Sequence, residues 1–209
     1  VAYYPFNGNA NDVSGNRHDG IVEGATLAKG KSAGLSAYSF KQVDDKITIP
    51  TITSVNGGGL TVSLWAKQID YTTYSFMVCG KEPLGGSYAF AILTQFPSSD
   101  KIRASFKPDG NIEEQFGEVF SNSPNERSIW QQIVYTSNGV EAKLLVNGVL
   151  QNKASSSSLE VLISDLVIGS RGLGSDSNFN GSIDDVRIYD RALSAAEVSA
   201  LYYSEVPEF

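Results

Sequence analysis

Asn9, Asn11, Asp12, Ser14, Asn16 and Asp19 crowd into eleven residues near the start of the chain, with Gly15 among them and Gly8 and Gly20 on either side. Hard oxygens on a tight loop suit Ca²⁺, which takes about six to eight oxygen ligands, backbone carbonyls included. The spacing is not that of a helix-flanked calcium loop, because no glutamate closes it. The same residue types also form Asx turns by accepting hydrogen bonds from nearby backbone amides. The loop therefore has two readings, a cation cage or a self-bonded turn. Other chemistry is sparse. His18 is the sole histidine and Cys79 the sole cysteine, far apart in the chain. Zinc, or a histidine-assisted nucleophile, would need further partners. His18 is read as a bystander, and Cys79, in Ser75-Phe-Met-Val-Cys-Gly80, as a small buried hydrophobe. Nucleophile-elbow, phosphate-loop and zinc-protease motifs are absent. Glu113, Glu114 and Glu118 are the nearest acidic cluster and read as a solvated or cation-binding edge.

Composition bounds what carries these groups. The 209 residues bear a net charge of −7, and 41 % are hydrophobic, enough for a real core. An acidic chain is a poor nucleic-acid binder, because phosphate contacts need clustered Lys and Arg. No apolar run approaches the ~20 residues that span a membrane, so no membrane insertion is expected. One cysteine permits no internal disulfide. No signal-peptide pattern precedes the first motif, so the chain reads as a mature chain or an excised module.

Short alternating runs follow one another: 60–66, 88–92, 101–106, 130–135, 142–146 and 166–168. Asn-Gly and Asp-Gly pairs such as Asp109-Gly110, Asn138-Gly139 and Asn147-Gly148 supply the positive φ that hairpin turns need. The pattern predicts an all-β, two-sheet antiparallel β-sandwich or jelly roll, one domain over 1–209. The one helical stretch is 193–203, where Ser194 and Glu197 have capping-box spacing and Val198 and Leu201 would face the sandwich.

Two longer segments carry a family resemblance. Tyr4-Pro-Phe-Asn-Gly-Asn-Ala-Asn-Asp-Val-Ser-Gly-Asn-Arg-His-Asp-Gly20 and Phe179-Asn-Gly-Ser-Ile-Asp-Asp-Val-Arg-Ile-Tyr-Asp-Arg-Ala-Leu-Ser194 resemble the opening and closing strands of laminin-G-like jelly rolls in the concanavalin A-like lectin superfamily. Residues 38–50, Trp65 as a core tryptophan and the stretch 130–149 fall in the family's order. The resemblance implies two facing sheets, one of them concave, with a short C-terminal helix. It implies a structural calcium where the first loop meets the last strand, with Asp184 or Asp185 joining Asp12 and with Asn9, Asn16 and Asp19 following. A strand would point one of the adjacent aspartates in and one out. The resemblance also implies a carbohydrate-binding or adhesion module attached to a larger extracellular protein. Sandwich glucanases of this fold use Glu-x-Asp-x-x-Glu and alginate-type lyases a Gln-x-His, and both patterns are missing.

Alternation then maps the concave sheet. Ile102, Ala104 and Phe106, like Tyr88, Phe90 and Ile92, suit the core. Arg103 and Ser105 face out beside small Ala89 and Ala91, which would leave room for a sugar. Lys81 and Gln95 would flank it, and Tyr71, Tyr74 and Phe96 are loop aromatics able to stack on it. Arg and Lys at these positions favour a glycan or polysaccharide of anionic character. The expectation is a non-catalytic, lectin-like module of a secreted or cell-surface bacterial protein, with an adhesion or spacer domain and a glycan-cleaving enzyme as alternatives.

Overall fold

The structure is a computed structural model. It describes residues 1–50, 59–70, 74–81, 88–95, 100–106, 116–156, 165–171 and 177–206, and the side chains of 89, 95, 106 and 116 lie outside that description.

Period-2 alternation between turn-forming pairs gives a succession of strands: β1 (Ala2–Tyr4), β2 (Ile21–Glu23), β3 (Thr26–Lys29), β4 (Ser36–Phe40), β5 (Lys46–Pro50), β6 (Leu60–Asp70), β7 (Tyr74–Lys81), β8 (Tyr88–Gln95), β9 (Lys101–Phe106), β10 (Phe116–Pro124), β11 (Gln131–Ser137), β12 (Glu141–Val146), β13 (Val149–Ser155), β14 (Asp165–Ile168) and β15 (Asn180–Tyr189). The helix α1 spans Ala195–Glu205. The strands form two sheets, β13-β12-β11-β6-β15-β4-β3 with β1 also on β15, and β10-β9-β8-β7-β14-β5-β2. The β12–β13 turn is made by Asn147 and Gly148 at φ of 51° and 73°, as the Asn-Gly pair requires.

The core lies between the sheets, where Tyr4, Phe6, Phe40, Leu64, Phe90 and Tyr135 are all essentially inaccessible. Each such side chain contributes about 1.5–3 kcal/mol by leaving water. Close approach is severe at Gly169, whose φ is +85° and whose added Cβ would strike the Phe40 ring.

Three assignments shift. Trp65 is buried, but beneath α1, where its ring stacks on Tyr202 at 5.8 Å, and not between the sheets. Tyr88 joins Phe76, Cys79, Ala91, Leu93 and Val167 in a second apolar cluster, apart from the core that holds Phe90 and Ile92. The register shift between Gly80 and Lys81 breaks the alternation there. Leu201 is only half-buried, and among the helix residues Val198 and Glu205 are the buried ones.

Candidate functional site

The opening loop bonds to itself and to β1. Oδ1 of Asp12 accepts from the amides of Tyr3 at 3.0 Å and Ser14 at 2.9 Å, and Oδ2 accepts from the amide of His18 at 3.1 Å. Burial opposes ionisation, yet the three amides together hold the Asp12 carboxyl below its ordinary range. Asp19 Oδ1 accepts from the Asp12 amide at 2.9 Å, and Asn9 Oδ1 from the Asn11 amide at 2.9 Å. Asn16 turns its Nδ2 donor to the Val1 carbonyl, 2.7 Å away. These are turn-forming contacts.

Asp184 and Asp185 sit on β15, and both are buried, at 1 % and 8 % exposure. Asp185 has φ of 46° inside a register shift between Asp184 and Arg187, so the simple in-and-out alternation fails there. Asp184 accepts from the Lys31 amide at 3.2 Å and the Asp185 amide at 2.9 Å. Burial, then the neighbouring Asp185 charge, push its carboxyl up to about 7. Asp185 accepts from the Tyr3 hydroxyl at 2.7 Å and pairs with Lys31 Nζ at 3.0 Å. The six side chains named for calcium thus lie in two hydrogen-bonded groups, the opening loop and the aspartate pair of β15. Asp12, Asp184 and Asp185 have both carboxylate oxygens, and Asn9 and Asp19 their Oδ1, on amides, a phenol or a lysine, and no group of three or more Asp, Glu, His or Cys able to hold a metal occurs among the described residues.

What assembles at β15 instead is a mixed network under α1. Lys31 Nζ also donates to the Glu205 carbonyl at 2.9 Å and lies 5.2 Å over the Trp65 ring. Glu205 Oε2 accepts from Trp65 Nε1 at 2.8 Å, and its other oxygen pairs with Arg187. The Arg187 guanidinium carbon lies over the Tyr3 ring, 3.8 Å from its centroid. Burial raises the Glu205 carboxyl, with Arg187 and Trp65 opposing. A surface cavity of about 740 Å³ opens beside this network. Apart from Asp185, and Trp65 as a core tryptophan, sequence reasoning singled out none of these groups, because they come from five separate stretches with no shared spacing.

On the second sheet, the outer-face arginine expected at Arg103 is there, with Ile102 and Ala104 in the core as foreseen. Arg103 is 9 % exposed, however, and pairs through Nε with Glu118 at 2.5 Å. Ala91 and Ser105 are also buried, so the described residues show no open space for a sugar beside them. Arg171, which the sequence did not single out, lies 5.9 Å over the Tyr88 ring. Lys81 pairs in register with Tyr88, and Tyr74 with Gln95 at the far end of the same strands. Seven residues at about 3.3 Å put Lys81 and Tyr74 roughly 23 Å apart, so these two do not share one small subsite. Tyr71, Phe96, Glu113 and Glu114 lie outside the described residues, as does the Gln95 side chain. Cys79 is fully buried, and burial pushes its thiol up to about 12, which leaves no nucleophile there.

The fold and these faces define a lectin-type jelly roll. A family model described as the concanavalin A-like lectin/glucanases superfamily matches residues 41–199, and the chain belongs to that family. Among solved structures it is similar to domain 4 of AbnA, a GH43 extracellular arabinanase from Geobacillus stearothermophilus, in complex with arabinotriose. That likeness has a TM-score of 0.73 and 20 % identity, covering 96 % of this chain and 97 % of that one. It is similar to the botulinum neurotoxin serotype D binding domain, with a TM-score of 0.77 and 16 % identity over 98 % of this chain and 51 % of that one. The binding domain of Paraclostridial Mosquitocidal Protein 1 gives a TM-score of 0.71 and 17 % identity, over 93 % and 49 %. The chain spans about half of these toxin domains. A search of curated proteins returns no match.

Proposed function

We propose that the chain is a non-catalytic, lectin-like module of a secreted or cell-surface bacterial protein, binding an anionic glycan on the outer face of the second sheet. The observation that carries this reading is the gathering of Lys81, Arg103 and Arg171 around Tyr88 in a chain of net charge −7. The half-buried Arg171 guanidinium can offer its fork to a sugar carboxylate or sulfate in two-point geometry, while Arg103, held by Glu118, backs it. Near end-to-end likeness to an arabinanase domain solved with arabinotriose supports a glycan ligand. Glu118, the described member of the acidic cluster, is paired with Arg103, whereas a glycoside hydrolase sets two carboxylates across the scissile bond. The test is a glycan array probed with the wild type, Lys81→Ala and Arg103→Ala, each checked for folding by circular dichroism. Saturable binding to acidic glycans that both substitutions weaken supports the reading. A blank array from folded protein overturns it in favour of an adhesion or spacer domain, and reducing sugar released from any polysaccharide would overturn the non-catalytic part.

A further inference from the structure

The cavity beside α1 lies apart from the second sheet and touches the opening loop only at Asn7. Its volume of about 740 Å³ falls within the roughly 300–1,000 Å³ typical of small-ligand pockets. Tyr3, Asn7, Lys31, Asp185, Arg187 and Tyr203 are among its lining residues. The floor is rigidly built. Arg187 is clamped between the Tyr3 ring and Glu205, and Asp185 between the Tyr3 hydroxyl and Lys31. Such a buried ionic network contributes little net stability against an apolar replacement, so its presence beside a cavity calls for another use.

Its charge identifies the class of ligand. Two cations, Lys31 and Arg187, face two carboxylates, Asp185 and Glu205, so the floor is formally neutral and favours neither an anion nor a cation. It does offer fixed donors and acceptors side by side, the arrangement that adjacent hydroxyls of a sugar ring require. Arg187 Nε is buried and has no hydrogen-bond partner among the described residues, so the protein does not engage the guanidinium fully. The rim supplies an aromatic face. Tyr202 is spent on Trp65, but the next residue, Tyr203, is 76 % exposed and lines the cavity. Exposed aromatic rings stack on the C–H faces of sugars.

We propose that this cavity is a second saccharide site, for a neutral sugar or short neutral oligosaccharide, with Tyr203 as the stacking platform and Asp185 and Arg187 as hydroxyl partners. It stands on the cavity alone and does not require the second-sheet site. The test is amide chemical-shift mapping of the ¹⁵N-labelled chain titrated with neutral arabino-, xylo-, gluco-, manno- and galacto-oligosaccharides. Saturable shifts at Tyr3, Asn7, Ser32 and Ser204 are expected from at least one of them. Tyr203→Ala should weaken that binding about tenfold or more, whereas Tyr203→Phe should keep it within about twofold. The amide spectrum of each variant reports its folding in the same experiment. No saturable shifts across the panel, shifts confined to β7, β8 and β9, or binding indifferent to Tyr203→Ala would each overturn the proposal. Loss of acidic-glycan binding in Arg103→Ala with the cavity shifts intact would separate the failure of one site from that of the other.

Discussion

Asp12 shows how one side chain can staple a loop. With three backbone amides on its two oxygens, it joins the loop to β1 at Tyr3 and closes the turn at Ser14 and His18. Asp12→Asn turns an acceptor-only group into one carrying donors, and it should lower stability by about 1–3 kcal/mol in urea unfolding. Excess EDTA should leave the melting temperature of the wild type unchanged, because Asp12 already spends both carboxylate oxygens on backbone amides. A drop of several degrees would show that a divalent cation is part of the native state. Asp184 has the opposite titration. Its folded pKa stands above the unfolded value, so the folded state binds the proton more tightly. Its contribution is full below about pH 4 and declines, by about 1.4 kcal/mol per pH unit, as pH rises to about 7. Stability measured from pH 4 to 8 should fall through that window, and Asp184→Asn should flatten the slope. Cys79 should resist a thiol-specific reagent in native buffer and react only after denaturation.

At the scale of the element, α1 is tied to the first sheet at both ends. Ser194 and Glu197 close a capping box at its start, and Val198 packs with Val134, Leu145 and Leu193. At its end, Glu205 bonds Trp65 and Arg187, joining α1 to β6 and β15. Removing one partner of a buried pair leaves the other charge uncompensated. Glu205→Ala should therefore cost about 3–5 kcal/mol, and Ser194→Ala only about 1 kcal/mol, in the same urea experiment. Similar costs for the two would show that the cap, and not the buried pair, holds the helix.

For the whole molecule, the decisive feature is the place of β15. The last strand lies in the middle of its sheet between β6 and β4 and also receives β1, with the N-terminal ammonium donating to the Ile188 carbonyl at 2.8 Å. The first sheet cannot be completed until β1 and β15 meet. A chain truncated after Phe179 should show no cooperative unfolding transition by calorimetry, although it retains most of the other strands. A sharp transition in that fragment would show that the core folds without β15. Pairings this distant in sequence also predict slow folding, on the order of milliseconds to seconds.

Alternation and turn chemistry are local, and they sufficed to place the strands and the capped helix. Asn147-Gly148 specifies its turn by the φ values it tolerates, and Ser194 with Glu197 its cap, wherever those residues stand in space. The resemblance of the two ends implied that the opening loop meets the last strand, and the structure adds that β1 pairs with β15. The sites were less legible, because burial and partnership arise between residues far apart in the chain. Arg103 was correctly placed outside the core, but only the tertiary structure set Glu118 against it and buried the pair. Asp184 and Asp185 were expected to point to opposite sides, and a bulge in β15 buried both. Tyr3, Lys31, Arg187 and Glu205 have no common motif. Only the closure of β1 on β15 and the docking of α1 bring them to one cavity, because long-range packing, not local spacing, decides which charges share a low-dielectric environment.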